Sequence, residues 1–270
     1  MSHRIDLDAY FARIGYTGER APTLETLRAL HLLHPRAIAF ENLSPLLGWP
    51  VRLDPESLEQ KLVRSKRGGY CFEQNLLFKH VLESLGYRVR GLAARVLWNQ
   101  PEDAITARSH MLLRVEVDGE DHLADVGFGG QTLTGPLRLE PDVEQATPHE
   151  PFRLVRTGEG FTMSCLVRDT WKTLYRFGLE EQFQVDYEVT NYYLSTNPSS
   201  HFKTRVFAAR PLEDRRYGLL GNQLSTHWRD GTTERRVLEG PGEVREARGT
   251  LFGLEVPEGP EVDAALSRVG

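Results

Sequence analysis

The hydrophobic period of this 270-residue chain changes between its first and middle thirds, which points to helices and strands segregated along the chain. Apolar residues recur three and four apart up to Leu85 and alternate from Tyr87 onward, so helices come first and strands second. Asp6 or Asp8 can cap a helix carrying Tyr10, Phe11 and Ile14, and Thr23 one carrying Leu24, Leu27 and Leu30. Asp54-Pro55 is a cap followed by a proline whose fixed φ suits a first helical position, leading into Leu58 and Leu62. A further helix fits Phe72 to Leu85, with Leu77, Phe78, Val81, Leu82 and Leu85 on one face and Gly86 closing it. The alternating runs are Val89 to Leu97, His110 to Val117, Leu123 to Val126, Phe152 to Val155, Phe161 to Val167 and Trp171 to Phe177. Short strands joined by Gly and Asp turns predict an antiparallel sheet or barrel. A polar helix is expected near Gln182 to Leu194, and from about Pro198 the chain reads as short strands mixed with loops such as Gly240-Pro241-Gly242.

Nothing in the composition calls for a disulfide or metal staple. A chain of this length, read as one to three domains, buries about three quarters of its unfolded surface. The two cysteines, Cys71 and Cys165, form no C-x-x-C pair, which fits a reducing compartment. Thirty-three Lys+Arg against 38 Asp+Glu give a net charge of −5 with the basic residues scattered, which argues against a broad nucleic-acid-binding face. The N-terminus lacks the apolar core of a signal peptide, and no apolar run reaches the ~18 residues of a membrane span. A cytoplasmic protein with no membrane or nucleic-acid partner is expected.

Cys71 stands in Arg67-Gly68-Gly69-Tyr70-Cys71-Phe72-Glu73-Gln74-Asn75. A lone cysteine is more often a small buried hydrophobe than a nucleophile. Here a Gly-Gly turn delivers the thiol to a helix N-terminus, where unpaired N–H groups and the macrodipole favour negative charge and can stabilise an oxyanion. Cys165, inside Phe161-Thr162-Met163-Ser164-Cys165-Leu166-Val167, has no such setting and is read as strand packing.

Downstream, Asp118-Gly119 is a leading two-residue type I′ turn signal between two alternating runs. With Asp118 and Gly119 as the central turn residues, Val117 opposes Glu120 and Leu112 opposes Asp125. Asp125 is then diagonal to His110 on the same face, with Cα atoms roughly 7–8 Å apart, within reach of a carboxylate-to-imidazole hydrogen bond. The other face, with Met111, Leu113, Val115, Val117, Ala124 and Val126, makes a core. A three-residue turn would send Asp125 to the opposite face.

Competing chemistries find less support. A zinc site needs three or four converging ligands, and the one close histidine pair, His31 and His34, is interrupted by Pro35 and read as surface or packing. Gly127-Phe128-Gly129-Gly130 is only loosely like a phosphate-cradling loop, although glycines directly after Asp125 could let a ligand approach backbone. No Walker A motif, Rossmann fingerprint or Gly-x-Ser-x-Gly elbow is present.

In order and spacing, the Arg67–Asn75 segment, Ser109-His110-Met111-Leu112 and Asp125-Val126-Gly127-Phe128-Gly129-Gly130 resemble the three signatures of the arylamine N-acetyltransferases. Ala39-Phe40-Glu41-Asn42-Leu43 and Asn197-Pro198-Ser199-Ser200-His201-Phe202 resemble further family segments, so the likeness spans most of the chain. The resemblance implies an α+β fold around a transglutaminase-like or papain-like catalytic core. Its parts would be a helical domain over 1–86 carrying the nucleophile, an antiparallel β-barrel over 87–197 and an α/β lid over 198–270. It further implies acetyl-CoA-dependent transfer of acetyl, through a thioester on Cys71, to arylamines or arylhydrazines by a ping-pong mechanism. His110 would be the imidazole partner and Asp125 its orienter. Ser109, Gly129, Gly130 and Phe202 match positions near coenzyme A, Phe40 and Phe128 are expected acceptor-pocket walls, and Arg67 and Glu41 an ion pair positioning the cysteine loop. Acetyl-CoA would be a substrate, with no cofactor permanently bound and no metal. The partners would be acetyl-CoA and a small aromatic amine or hydrazine, and the chain would act as a monomer or homodimer. The nearest alternative is an amide synthase of the same scaffold closing an amide on a larger acyl substrate. A cysteine peptidase or transglutaminase shares Cys-His-Asp in this order but explains the Arg-Gly-Gly and Gly-Phe-Gly-Gly segments less well, and a catalytically silent binding protein would have no use for all three residues.

Overall fold

Local chemistry decides where the first helices begin. In the computed structural model, which describes residues 3–267, the Asp6 and Thr23 side chains accept from the N–H groups of Ala9 and Thr26 and open α1 (Leu7–Ile14) and α2 (Leu24–Ala37). Pro35 does not stop α2; it lies in the last turn, where losing one intrahelical hydrogen bond is tolerated. A two-residue strand, β1 (Phe40–Glu41), and a short helix, α3 (Leu43–Leu47), follow. Asp54 caps α4 (Pro55–Leu58), which runs on into a π-helical turn at Glu59–Arg64. Helix α5 (Cys71–Ser84) starts one residue before the predicted Phe72, so Cys71 is its first residue, and Gly86 (φ +95°) makes the turn beyond its end. Every residue of α5 from Cys71 to Phe78 is buried.

The middle of the chain is strand after strand: β2 (Arg88–Val96), β3 (Arg108–Val117), β4 (Glu120–Ala124), β5 (Leu137–Arg138), β6 (Glu144–Gln145), β7 (Phe152–Thr157), β8 (Gly160–Val167) and β9 (Thr170–Phe177). They form one antiparallel sheet in the order β5-β4-β3-β2-β9-β8-β7-β6, curled into a barrel. The β3–β4 hairpin has the predicted register, with Val117 opposite Glu120 and Leu113 opposite Ala124, and Asp118 (φ +53°) and Gly119 (φ +80°) both left-handed as a type I′ turn requires. Its two faces serve two cores. Leu112 and Leu123 point into the barrel with Phe152, Met163, Cys165 and Tyr175, while Met111, Leu113, Val115, Val117 and Ala124 belong to the core built around α5. No ladder joins the edge strands β5 and β6. Instead the Gln145 side-chain amide accepts from the Arg138 N–H at 2.8 Å and donates to the Arg138 carbonyl at 2.9 Å, supplying both bonds of a backbone pair.

After the barrel come α6 (Gln184–Thr196), β10 (Phe207–Pro211), β11 (Arg215–Leu220), β12 (Gln223–Trp228), β13 (Thr233–Val237), α7 (Gly240–Thr250) and α8 (Pro260–Leu266). The second sheet has the order β1-β10-β11-β12-β13, so Phe40 and Glu41 pair with Ala209 and Ala208, far away in sequence. Its core joins Val206, Leu219, Val244, Phe252 and Leu266 to Ala39, Leu43 and Leu46. The expected loop at Gly240-Pro241-Gly242 is instead the first turn of α7: a proline there is already set for helix, and burial of Val244 and Ala247 offsets the cost of the glycines.

Candidate active site

The approach to α5 is steric before it is electrostatic. A Cβ on Gly68 would sit 2.1 Å from the Ala39 carbonyl oxygen, and one on Gly69 2.6 Å from Glu73 Oε2, so only glycines pass here. Glu73 reaches back to accept from the Tyr70 N–H at 3.1 Å and pairs with Lys61 at 2.6 Å. Glu41 accepts from Arg67 Nη2 on Oε1 and from Arg248 Nη2 on Oε2, each at 2.8 Å. Burial works against that carboxylate's charge, but the two guanidiniums and Lys61 hold its pKa far below the ordinary range. The expected Arg67–Glu41 pair is therefore present, with a second cation from α7 that the sequence did not suggest.

At the open end of the hairpin, His110 Nε2 lies 2.7 Å from Asp125 Oδ2, both side chains almost fully buried. The Asp125 carboxylate accepts three further hydrogen bonds. Oδ1 takes the Asn75 amide and the Gly127 N–H, both at 3.0 Å, and Oδ2 the Tyr175 hydroxyl at 2.9 Å. Burial penalises charge on both partners. On Asp125, His110, Asn75 and Gly127 outweigh it and hold the carboxyl below its ordinary value. On His110, the Asp125 charge and hydrogen bond, helped by Cys71, outweigh it and raise the pKa to about 10. Cys71, 4% exposed, directs its thiol toward the Ser109 carbonyl at 3.7 Å. A Cβ on Gly127 would stand 2.9 Å from Cys71 Cα, so the loop after Asp125 lies directly against the start of α5. Cys71, His110 and Asp125 thus converge, and the arrangement is suited to nucleophilic chemistry with an imidazolium partner.

The other singled-out residues surround this point. The Phe128 ring stands edge-on to His110 at 5.2 Å. Gly129 (φ +86°) faces the Phe40 ring, and Phe40 in turn lies 6.1 Å from Phe202, which also meets Tyr70 at 5.2 Å. Gly130 is exposed, with its carbonyl 3.4 Å from Arg216 Nη1. Cys165 lies inside the barrel, where burial pushes its thiol up to about 12.

Sequence reasoning missed several supporting residues. Asn75 donates to the Met111 carbonyl as well as to Asp125 and accepts from the Val126 N–H; its position one turn after Cys71 on the same helix face was the available signal. Tyr175 reads as a core aromatic, though a buried tyrosine hydroxyl needs a partner. His31 is fully buried, not at the surface, and accepts from the Asp125 main-chain N–H at 3.0 Å. Among the described residues no group of three or more His, Cys, Asp and Glu is arranged to hold a metal, and no helix is long and apolar enough to cross a membrane.

Residues 23–261 match the N-acetyltransferase family model. An arylamine N-acetyltransferase of Mycobacterium tuberculosis is 46% identical over 269 residues, covering 98% of this chain and 95% of the relative. The chain belongs to the arylamine N-acetyltransferase family. The Escherichia coli K12 member is 44% identical, covering 93% of this chain and 90% of its own. The Mycobacterium marinum structure superposes with a TM-score of 0.95 at 46% identity, covering 98% of this chain and 99% of that one. The same enzyme in complex with CoA superposes at 0.94, with 45% identity and the same coverage. The α+β architecture is the family's, and the chain is an acyltransferase whose chemistry is acetyl transfer.

Proposed function

We propose that this enzyme transfers acetyl from acetyl-CoA to an arylamine or arylhydrazine through a thioester on Cys71, with His110 and Asp125 completing the site. The observation that carries this reading is the buried His110–Asp125 pair set beside a thiol on the first residue of α5. The Cys71 thiolate adds to the thioester carbonyl, the N–H groups at the start of α5 receive the developing oxyanion, and the carbon–sulfur bond to CoA breaks. The departing CoA thiolate takes its proton from the His110 imidazolium. The amine then attacks the acetyl-Cys71 carbonyl, His110 accepts the amine proton, and the Cys71 thiolate is released. Asp125 orients the ring and stabilises its cationic form throughout. Arylamines and hydrazines suit the second half because they are largely unprotonated at neutral pH, unlike an alkylamine.

Ser109, Gly129, Gly130 and Phe202 are proposed donor contacts, a reading supported by the Ser109 carbonyl facing the Cys71 thiol and by Gly129 and Phe202 both lying against the Phe40 ring. Phe40 and Phe128 are proposed acceptor walls, supported by Phe128 lying against His110. The division at 86 and 197 is likewise proposed; the core inside the barrel lies wholly within 87–197, while the core around α5 also takes one face of β3 and β4, and the core of the second sheet takes Ala39, Leu43 and Leu46 from the first unit. Incubation with acetyl-CoA and no acceptor should add one acetyl group, mapped to Cys71 by peptide mass, and initial rates with an aniline acceptor should give parallel double-reciprocal lines. An unmodified chain, an acetyl group elsewhere, or intersecting lines would overturn the reading.

A further inference from the structure

Helix α2 buries two histidines one turn apart, and the acyl transfer proposed above uses neither. His31 and His34 are both fully buried and both stand edge-on to Phe78 of α5, at 5.8 and 5.4 Å. Their hydrogen bonds fix their protonation. Asp125 donates its main-chain N–H to His31 Nε2, so that nitrogen carries a lone pair. The Gln74 amide nitrogen is shared among the carbonyls of Ile38, Ala39 and Gly69, so its oxygen accepts, and His34 Nε2 donates to it at 2.7 Å. His34 Nδ1 then accepts from the Tyr10 hydroxyl at 2.8 Å. The two rings are thus neutral and of opposite tautomer, and burial agrees, pushing His31 down to about 4 and His34 to about 3.

Each ring reaches a different half of the site. His34, through Gln74, holds the Gly69 carbonyl two residues before Cys71. His31 holds the main chain of Asp125 just past the last β3–β4 ladder pair, Leu113 with Ala124, where no strand neighbour takes the N–H. Asn75, Gly127, Tyr175 and His110 aim the Asp125 carboxylate, and His31 anchors the backbone that carries it. We infer that α2 sets the spacing between the cysteine loop and Asp125, and that His31 is a positioning residue acting on His110 through the Asp125 main chain. The inference rests on Asp125 being the orienter of His110.

The test compares three variants of the full chain. In His31→Gln the side-chain oxygen can reach the place of Nε2 and accept the same N–H. His31→Leu keeps the bulk but offers no acceptor, and the oxygen of His31→Asn is too short to reach. Leaving the N–H unpaired should lower the maximal single-turnover acetylation rate on the order of tenfold, with the acetyl-CoA concentration that half-saturates that rate unchanged. The His110 ring titration, followed by NMR of labelled histidine, should move down in His31→Leu and His31→Asn and return in His31→Gln. A merely structural role would lower the melting temperature without moving that titration. Should His31→Leu not fold, the comparison of Asn with Gln decides alone. Wild-type titration and rate in His31→Asn, or no restoration in a folded His31→Gln, would overturn the inference. Failure of the wild type to form acetyl-Cys71 would instead overturn the proposed function, and the His110 titration would still report on His31.

Discussion

Four donors and no acceptor surround the Asp125 carboxylate, and that determines what a substitution there does. Asp125→Asn keeps the size but turns an amide NH2 toward one of those donors and removes the charge that holds His110 protonated. Burial lowers the His110 pKa and Asp125 more than outweighs it, raising it to about 10; with that charge gone burial is opposed far less, so the pKa should fall and the imidazolium be lost within the neutral range. The variant should fold, destabilised by about 1–3 kcal/mol, with turnover reduced by roughly three to four orders of magnitude. Circular dichroism and steady-state rates check this, and near wild-type turnover would remove Asp125 from its assigned role. In the barrel core, burial with Glu150 adding to it outweighs the opposing Arg216 and pushes the Cys165 thiol up, so it is held protonated.

Helix α5 is the element on which the site is assembled, and its polar triplet shows how. Glu73, Gln74 and Asn75 are residues expected in solvent on a surface helix, yet all three are buried and each faces a different neighbour. Glu73 holds the Tyr70 N–H and Lys61, Gln74 the His34 ring and three carbonyls, and Asn75 the Asp125 carboxylate and the Val126 N–H. Consecutive helical side chains diverge by about 100°, so one turn serves three directions. The loop after Asp125 must lie against this turn, and Gly127 permits it. Its φ is not left-handed, so the constraint is contact: an added Cβ would stand 2.8 Å from Asn75 Nδ2 and 3.0 Å from the Cys71 carbonyl oxygen. Gly127→Ala should separate loop from helix, lowering the single-turnover acetylation rate more than the ~1–3 kcal/mol cost of overpacking would by reducing the folded fraction. A melting curve taken beside the rate separates the two, and wild-type acetylation would show that the close approach is dispensable.

At the scale of the molecule, Glu41 joins parts of the chain more than 200 positions apart. Its strand is the edge of the second sheet, one oxygen holds Arg67 of the cysteine loop, and the other holds Arg248 of α7. Glu41→Gln should cost about 3–5 kcal/mol, because two buried guanidiniums would lose their counter-charge. The sign of the pH dependence follows from the depressed carboxyl. Below its ordinary 4.5 the unfolded chain takes up the proton more readily than the folded one, so the stabilisation is present above that value and is lost as pH falls further. Denaturant midpoints measured from pH 7 down to pH 3 should therefore converge for wild type and Glu41→Gln on the acid side. A constant gap would mean that Glu41 is not the titrating group.

What the sequence determined by itself was local. Caps at Asp6 or Asp8, at Thr23 and at Asp54, the strand alternation, and the Asp118-Gly119 turn depend on residues a few positions apart, and that turn sets the register that brings His110 to Asp125. The placing of Cys71 on the first residue of α5 was legible within one position for the same reason. Its meeting with the hairpin came from the family resemblance and not from any period or spacing. The tertiary structure alone decided that His31 turns inward to Asp125, that Arg248 answers Glu41, that Gln145 closes the barrel, and that Phe40 and Glu41 pair with a strand near residue 208. A hydrophobic period records which side of an element is buried, but it does not name what buries it. Those partners are chosen when segments far apart in sequence dock and most buried polar groups must find a mate.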